Sequence, residues 1–297
     1  MIDFVRLQYK DKSKIEPFVC KKENFDELLT ELEYHSGEIR YPYKVKIGSM
    51  ELGINEKSAY LKNSIHKLYN EMVSKRSHNH NDFTYSDLVS TINYLDSKLT
   101  DIKATRLTQL EFGLNLKLSK PAEQVISNNI ILHNLALYNH NEQFGGRGEY
   151  KQFNHYNYYF KIYDKAKQFN LKYDLIRFEL KYKNSKGFNP FGVFNIHDLK
   201  KKDCLRNLFN DLLKRFDELI IIDDIPPKSI IPSEDIIQLE RYISFNYWEK
   251  LSERKNRNIK SRERIAFQKL LEKNDLLKTK NLLRKSLILK FEELINK

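Results

Sequence analysis

The sequence predicts an α+β fold: an antiparallel sheet of about five strands with helices on one face, followed by a smaller helical, basic region. Three observations lead there. Segments 107–116, 158–165 and 175–183 alternate apolar and polar residues with the period of two that a strand demands. Around them run stretches with apolar residues at helical spacing, such as Leu88, Ile92, Leu95 and Leu99. The pair Pro226-Pro227 then stops regular structure before a final stretch that reads as helices. On this reading, 1–222 is one unit, 223–232 a linker and 233–297 a second unit.

In chain order, Ile2, Phe4 and Leu7 mark an opening strand. Residues 24–34 read as a short helix, capped by Asn24, with Phe25, Leu28, Leu29 and Leu32 on one stripe. Residues 43–53 alternate as a half-buried strand, and extended character continues through Ala59-Tyr-Leu-Lys. Ser77-His-Asn-His-Asn-Asp is polar and reads as a surface loop, so His78 and His80 are not taken as a metal pair. Residues 84–99 form an amphipathic helix that Thr84 or Ser86 can cap. Pro121 and Ala122 open a helix running to about residue 134. Gly145-Gly-Arg-Gly reads as a turn, and 198–219 as a helix. His133 and His140, near Glu142, read as structural or exposed rather than ligating.

Of 297 residues, 40% are apolar, enough for a real core, and the formal net charge is +12. A chain so basic has a polyanion as its default partner, and nucleic acid is the commonest one. Eighteen Tyr and eighteen Phe add faces on which bases stack. Cys20 and Cys204 stand far apart in no ligand spacing, which suggests a reducing compartment. No secretory signal is read in the opening residues, and no run of about 18 apolar residues is present, so a cytoplasmic protein is expected. Walker, dinucleotide and zinc signatures are absent from the sequence.

Strand alternation places the chemistry. Leu110, Phe112 and Leu114 oppose Glu111, Gly113 and Asn115. Phe160 and Ile162 oppose Tyr159, Lys161, Tyr163 and Lys165, while Ile176, Phe178 and Leu180 oppose Arg177, Glu179 and Lys181. Laid side by side, the three strands gather two carboxylates, two tyrosines and several cations on one face. Carboxylates are hard oxygen donors that suit Mg²⁺ or Mn²⁺, so Glu111 and Glu179 are candidate ligands. A tyrosine hydroxyl with a pKa of about 10 needs a cation nearby to become a nucleophile. Lys161 and Lys165 flank Tyr163 and can serve. Tyr159 lies about 13 Å away along the strand, so one metal site serves one tyrosine, and Tyr163 is preferred. Arg177 and Lys181 are placed to bind phosphates on either side of a cut. In the basic segment 248–285, Arg254, Lys255, Arg257, Lys260, Arg262 and Arg264 follow Tyr247 and Trp248, and a salt-dependent contact with DNA is expected there.

The run Tyr158-Tyr-Phe-Lys-Ile-Tyr-Asp-Lys, with Ile176-Arg-Phe-Glu-Leu about a dozen residues later, resembles the paired signature of rolling-circle replication initiators. The likeness extends to the filamentous-phage replication proteins and to the plasmid replication initiation factor group. Thr108-Gln109-Leu110-Glu111 is similar to their "Thr-Arg-Ile-Asp" strand, Met1-Ile2-Asp3 to the start of the phage members, and Tyr247-Trp248-Glu249-Lys250 to their C-terminal region. The pattern differs at Gln109, where the family has arginine, at Glu111, where it has aspartate, and at Asn115, where many members carry a second acid. The resemblance implies a metal-dependent DNA nickase acting in a bacterial cytoplasm. Its tyrosine takes a 5′-phosphate of single-stranded or supercoiled origin DNA and leaves a 3′-hydroxyl primer. It also implies a host helicase and polymerase as partners. A non-catalytic origin-binding initiator and an RNA-binding module are the alternative readings.

Overall fold

The computed structural model describes residues 1–140, 147–225 and 231–297. The expected turn at Gly145 and Gly146, the linker prolines Pro226 and Pro227, and Glu142 lie outside those residues. The fold is α+β, as expected, but the sheet has nine strands rather than five. In chain order the strands are β1 (Ile2–Gln8), β2 (Leu29–Leu32), β3 (Ile39–Ile47), β4 (Met50–Ile54), β5 (Ala59–Ser64), β6 (Arg106–Lys117), β7 (Ile130–His133), β8 (Tyr150–Asn154), β9 (Tyr158–Asp164), β10 (Leu175–Tyr182) and β11 (Leu219–Ile221). The large sheet runs β2-β3-β4-β5-β1-β6-β10-β9-β8, each neighbouring pair antiparallel, and β7 pairs with β11 as a separate ribbon.

Two expectations fail, each for a packing reason. Residues 24–34 carry a helical stripe, yet only Phe25 packs against the core: Leu28, Leu29 and Leu32 remain 40%, 47% and 65% exposed. A helix gains its stability from burying that stripe. The segment instead pairs as β2 with the open edge of β3, where the Thr30 hydroxyl donates to Arg40 O at 2.6 Å. The helix expected over 121–134 is cut to one short stretch, 122–129, of which 125–129 is a π-turn. Its β-branched end, Ile130-Ile131-Leu132, becomes β7 because β11 lies beside it, and buried Asn129 closes the junction by donating to Ile222 O at 2.9 Å.

The helices are α1 (Glu16–Val19), α2 (Ile65–Ser74), α3 (Tyr85–Lys98), α4 (Ala122–Gln124), α5 (Lys165–Phe169), α6 (Lys202–Asp217), α7 (Ser233–Ile243), α8 (Phe245–Lys250), α9 (Arg257–Lys273) and α10 (Lys278–Asn296). Thr84 caps α3 in a capping box with Asp87, so the expected helix starts where its sequence signal stands. The Ser64 hydroxyl accepts from Lys67 N to cap α2. Helices α2, α6 and α10 contact β1 or β6, and α3 packs on α2 and α10. Together they cover the apolar side of the sheet in one core that includes Leu110, Phe112, Phe178, Phe216 and Phe291.

A second apolar cluster joins α7, α8 and α9 to the β7–β11 ribbon around Trp248, Tyr242, Phe267 and Leu239. Helix α10 does not stay with it. Leu283, Leu287, Phe291, Leu294 and Ile295 all belong to the sheet core, so the last helix ties the basic region back to the sheet.

Phe291 is 1% exposed and stacks on Phe209 with ring centroids 4.1 Å apart. Phe291→Ala should therefore cost about 3–5 kcal/mol of unfolding free energy. Urea denaturation would read that loss. A change below about 1 kcal/mol would show that α10 is not an integral part of the sheet core.

Candidate active site

Register builds the site. Cross-strand partners on β6, β10 and β9 share a face, and three rows result: Asn115–Arg177–Tyr163, Gly113–Glu179–Lys161 and Glu111–Lys181–Tyr159. Glu179 stands at the centre. Gly113 is required beside it, because a Cβ there would lie 2.5 Å from Phe178 O and 2.9 Å from Glu179 Cα. On the other side of β6, a register shift between Ile2 and Val5 of β1 accompanies the turn of Asp3 into the same group.

One oxygen from each of Asp3, Glu111 and Glu179 lies within 4.8 Å of the other two. Sequence alternation placed Glu111 and Glu179 together. Asp3 was legible only as part of an opening similar to the phage proteins, because its partner strand could not be known from spacing. The Asp3 carboxylate accepts from the Ser64 hydroxyl and, at 2.6 Å, from Asn79 Nδ2. Asn79 was missed altogether. It lies in the polar 77–82 segment, which has no helix or strand, as expected, but which is laid over the site instead of out in solvent. His78 and His80 stack on each other there at 4.4 Å.

The cations interleave with the acids. Lys161 Nζ lies 2.9 Å from Glu111 Oε1 and 3.2 Å from Glu179 Oε1. Lys181 Nζ lies 3.2 Å from Glu111 Oε1. Arg177 donates from Nε to Glu179 Oε2 at 2.7 Å and from Nη1 to Asn115 Oδ1 at 3.0 Å, and its Nη2 lies 3.7 Å from Asp3 Oδ2. Arg177 was expected to bind phosphate. It is 2% exposed, with Nε and Nη1 hydrogen-bonded to Glu179 and Asn115 and Nη2 buried without a hydrogen bond. Asn115 gives this arginine a neutral acceptor, its Oδ1. Lys165 was placed on the strand; it is the first residue of α5, capped by Asp164, and its Nζ donates to Asn79 Oδ1 at 2.7 Å.

Tyr163 is 6% exposed, and its hydroxyl donates to Glu179 Oε2 at 3.4 Å. Tyr159 is half-buried, across from Lys181 on β10, with Lys183 Nζ 5.0 Å from its ring centroid. The expectation that neighbouring lysines ease ionisation of Tyr163 is reversed in this state. Burial, reinforced by the Glu179 charge, pushes the phenol well above its ordinary value. Lys161 is engaged by the acids, and Lys165, whose Nζ lies 5.3 Å from the Tyr163 ring centroid, is itself pushed down to about 7 by burial and by Arg177. Burial and Glu179 push Glu111 up. Burial would also raise Glu179 and Asp3. Lys161 and Arg177 outweigh it for Glu179, Arg177 and Lys165 outweigh it for Asp3, and both carboxyls are held low.

The donor set suits a hard divalent cation. Three carboxylate oxygens within 4.8 Å of one another can share one ion at about 2.0–2.6 Å per ligand. Asp3, Glu111, Glu179, Lys161, Lys165 and Tyr163 line one cleft of about 270 Å³.

The expected DNA-binding residues of the C-terminal region fall on or beside α9. Lys255, Arg257, Arg262 and Arg264 are exposed, and Arg257, Lys260 and Arg264 border a cleft of about 590 Å³. The Arg254 side chain lies outside the description. Among the described residues, no helix is long and apolar enough to cross a membrane.

His133 and His140 do not join the carboxylates. His140 is exposed, and His133 is buried in β7 against Phe153 and Phe160, 2.8 Å from the His155 ring nitrogen and 3.0 Å from Arg215 O.

No family model and no curated protein matches the sequence. Among solved structures the chain is similar to the Rolling Circle Replication Initiator Protein from Geobacillus stearothermophilus. Identity is 8%, the match covers 79% of this chain and 89% of that one, and the TM-score is 0.37. A likeness of that degree carries no argument about chemistry, which has to come from the site.

Burial, then the neighbouring His155, depresses His133 to about 3, against about 6.5 in an unfolded chain. The unfolded state therefore binds the extra proton first. Stability is fully present above pH 6.5 and falls as pH drops from about 6.5 toward 3, by up to roughly 1.4 kcal/mol per unit. Urea midpoints taken across pH 4–7 should fall less steeply in His133→Gln. An unchanged slope would show that other groups carry the acid sensitivity.

Proposed function

We propose that this chain is a DNA-strand nickase of the rolling-circle initiator type, with Tyr163 as nucleophile and Asp3, Glu111 and Glu179 as the holders of Mg²⁺ or Mn²⁺. One observation carries the reading: a tyrosine hydroxyl directed at one of three converging carboxylates, in a cleft ringed by lysines. When bound, the divalent ion supplies charge that polarises a phosphate oxygen and offsets the negative charge that raises the phenol.

The remaining steps belong to side chains of the chain. Glu179, ionised beside Arg177, accepts from the Tyr163 hydroxyl and is the group placed to take its proton once added positive charge eases ionisation of the phenol. The phenolate oxygen bonds to phosphorus as the bond from phosphorus to the 3′-oxygen breaks. The leaving 3′-oxygen takes up the proton that Glu179 received and becomes a hydroxyl that can prime synthesis. One phosphoester replaces another, so the bond energy is retained and the nick can be resealed. Lys181, at the rim, meets a flanking phosphate. Helix α9 and the residues before it, with Lys255, Arg257, Lys260, Arg262 and Arg264, hold the duplex through phosphates, and that contact weakens with salt. Origin DNA and host replication enzymes are the partners this reading requires, and the bacterial cytoplasm is where it places them.

The test is a detergent-resistant protein–DNA adduct and relaxation of supercoiled DNA from the element that encodes the chain, with Mn²⁺ or Mg²⁺ added. Tyr163→Phe should fold, bind DNA and form no adduct, whereas Tyr159→Phe should still form one. An adduct lost only in Tyr159→Phe would move the chemistry to that residue. Binding with neither adduct nor relaxation in the unmodified protein would favour a non-catalytic initiator, and binding confined to RNA the RNA-binding module.

A further inference from the structure

The carboxylates already have a cation. Lys161 Nζ is within hydrogen-bonding distance of Glu111 Oε1 and Glu179 Oε1, two of the three groups offered to a metal ion. Four basic side chains, Lys161, Lys165, Arg177 and Lys181, face three acids in the same cluster. A divalent ion added to that cluster would sit a few ångströms from an ammonium group in a largely buried site, where like charges repel strongly.

The four cations are not equally fixed. Arg177 is held by Glu179 and Asn115, with its side chain 3% exposed. Lys165 is buried and held by Asn79. Lys161 has 16% of its side chain exposed, and its ion pairs are made by Nζ on a flexible four-carbon stem. It also bridges two of the acids, whereas Lys181 touches one.

We propose that Lys161 is an exchangeable counter-ion: it occupies the place of the divalent cation in the resting protein, and the two compete for Glu111 and Glu179. The proposal rests on the metal-site reading above. Its consequence is order. Metal binding frees an ammonium group at the cleft, and the nearest anion for it is the phosphate about to be attacked. The resting site thus binds metal weakly, and DNA, by drawing Lys161 away, strengthens metal binding.

Mn²⁺ binding to the 297-residue chain without DNA, read from the electron paramagnetic resonance signal of the free ion, tests this. Lys161→Gln removes the charge and shortens the stem, and it should bind Mn²⁺ at least about tenfold tighter than the unmodified protein. Lys161→Arg, which keeps the charge, should show no such gain. Glu179→Gln should lose binding. Equal or weaker affinity in Lys161→Gln overturns the exchange while leaving the metal site standing. No binding in either protein at about 10 mM Mn²⁺ overturns both readings. Should Lys161→Gln fail to fold, the unmodified protein decides: the ¹⁵N resonance of Lys161 Nζ must move as Mg²⁺ is added, and a resonance unmoved at 10-fold higher Mg²⁺ than needed to compete with Mn²⁺ overturns the exchange.

Discussion

Much of the structure depends on one buried carboxylate, Glu179. A charge taken out of water costs several kcal/mol unless it is paired and hydrogen-bonded. Glu179 meets that cost with Arg177 on one oxygen and Lys161 on the other. Each partner then needs its own compensation, and Asn115, Asp3 and Glu111 provide it. The network pins the register of β6, β10 and β9, because a slip of one residue would turn Glu179 into the apolar core and Phe178 into the charged cluster.

The polar face of this sheet is not a solvated one. Residues 110–116 of β6 are buried on both faces, and so are 175–180 of β10. Helices α6 and α10 cover the apolar side. On the other side, Asn79 from the 77–82 segment reaches both Asp3 and Lys165. Ser64 serves two elements at once, capping α2 with its oxygen and donating its proton to Asp3. The entry to α2 and the position of the third carboxylate are thereby one structural decision.

Electrostatics give the cluster its direction. At rest the phenol of Tyr163 is disfavoured as an anion by burial and by Glu179. The same closeness to Glu179 gives its proton somewhere to go. Positive charge added beside Glu179 would ease the ionisation of that phenol. The chain's excess of +12 lies in part on α9, remote in sequence from the carboxylate cluster.

Local sequence by itself determined what depends on periodicity and caps: the strands that became β6, β9 and β10, the faces of Glu111, Glu179, Lys161 and Tyr163, and helix α3 with its Thr84 cap. Strand alternation is a property of the backbone, so it can be read without knowing the neighbours. Tertiary structure decided whatever depends on a neighbour. The Leu28-Leu29-Leu32 stripe found no core to bury against and joined a sheet edge, and Ile130-Ile131-Leu132 found β11 and left its helix. Arg177 looked like a phosphate ligand because its face was legible and its burial was not. Asp3 and Asn79 entered the site because β1 lies beside β6 and the 77–82 segment crosses over both. Those contacts join residues 76 to 176 positions apart, and no local pattern encodes such a distance.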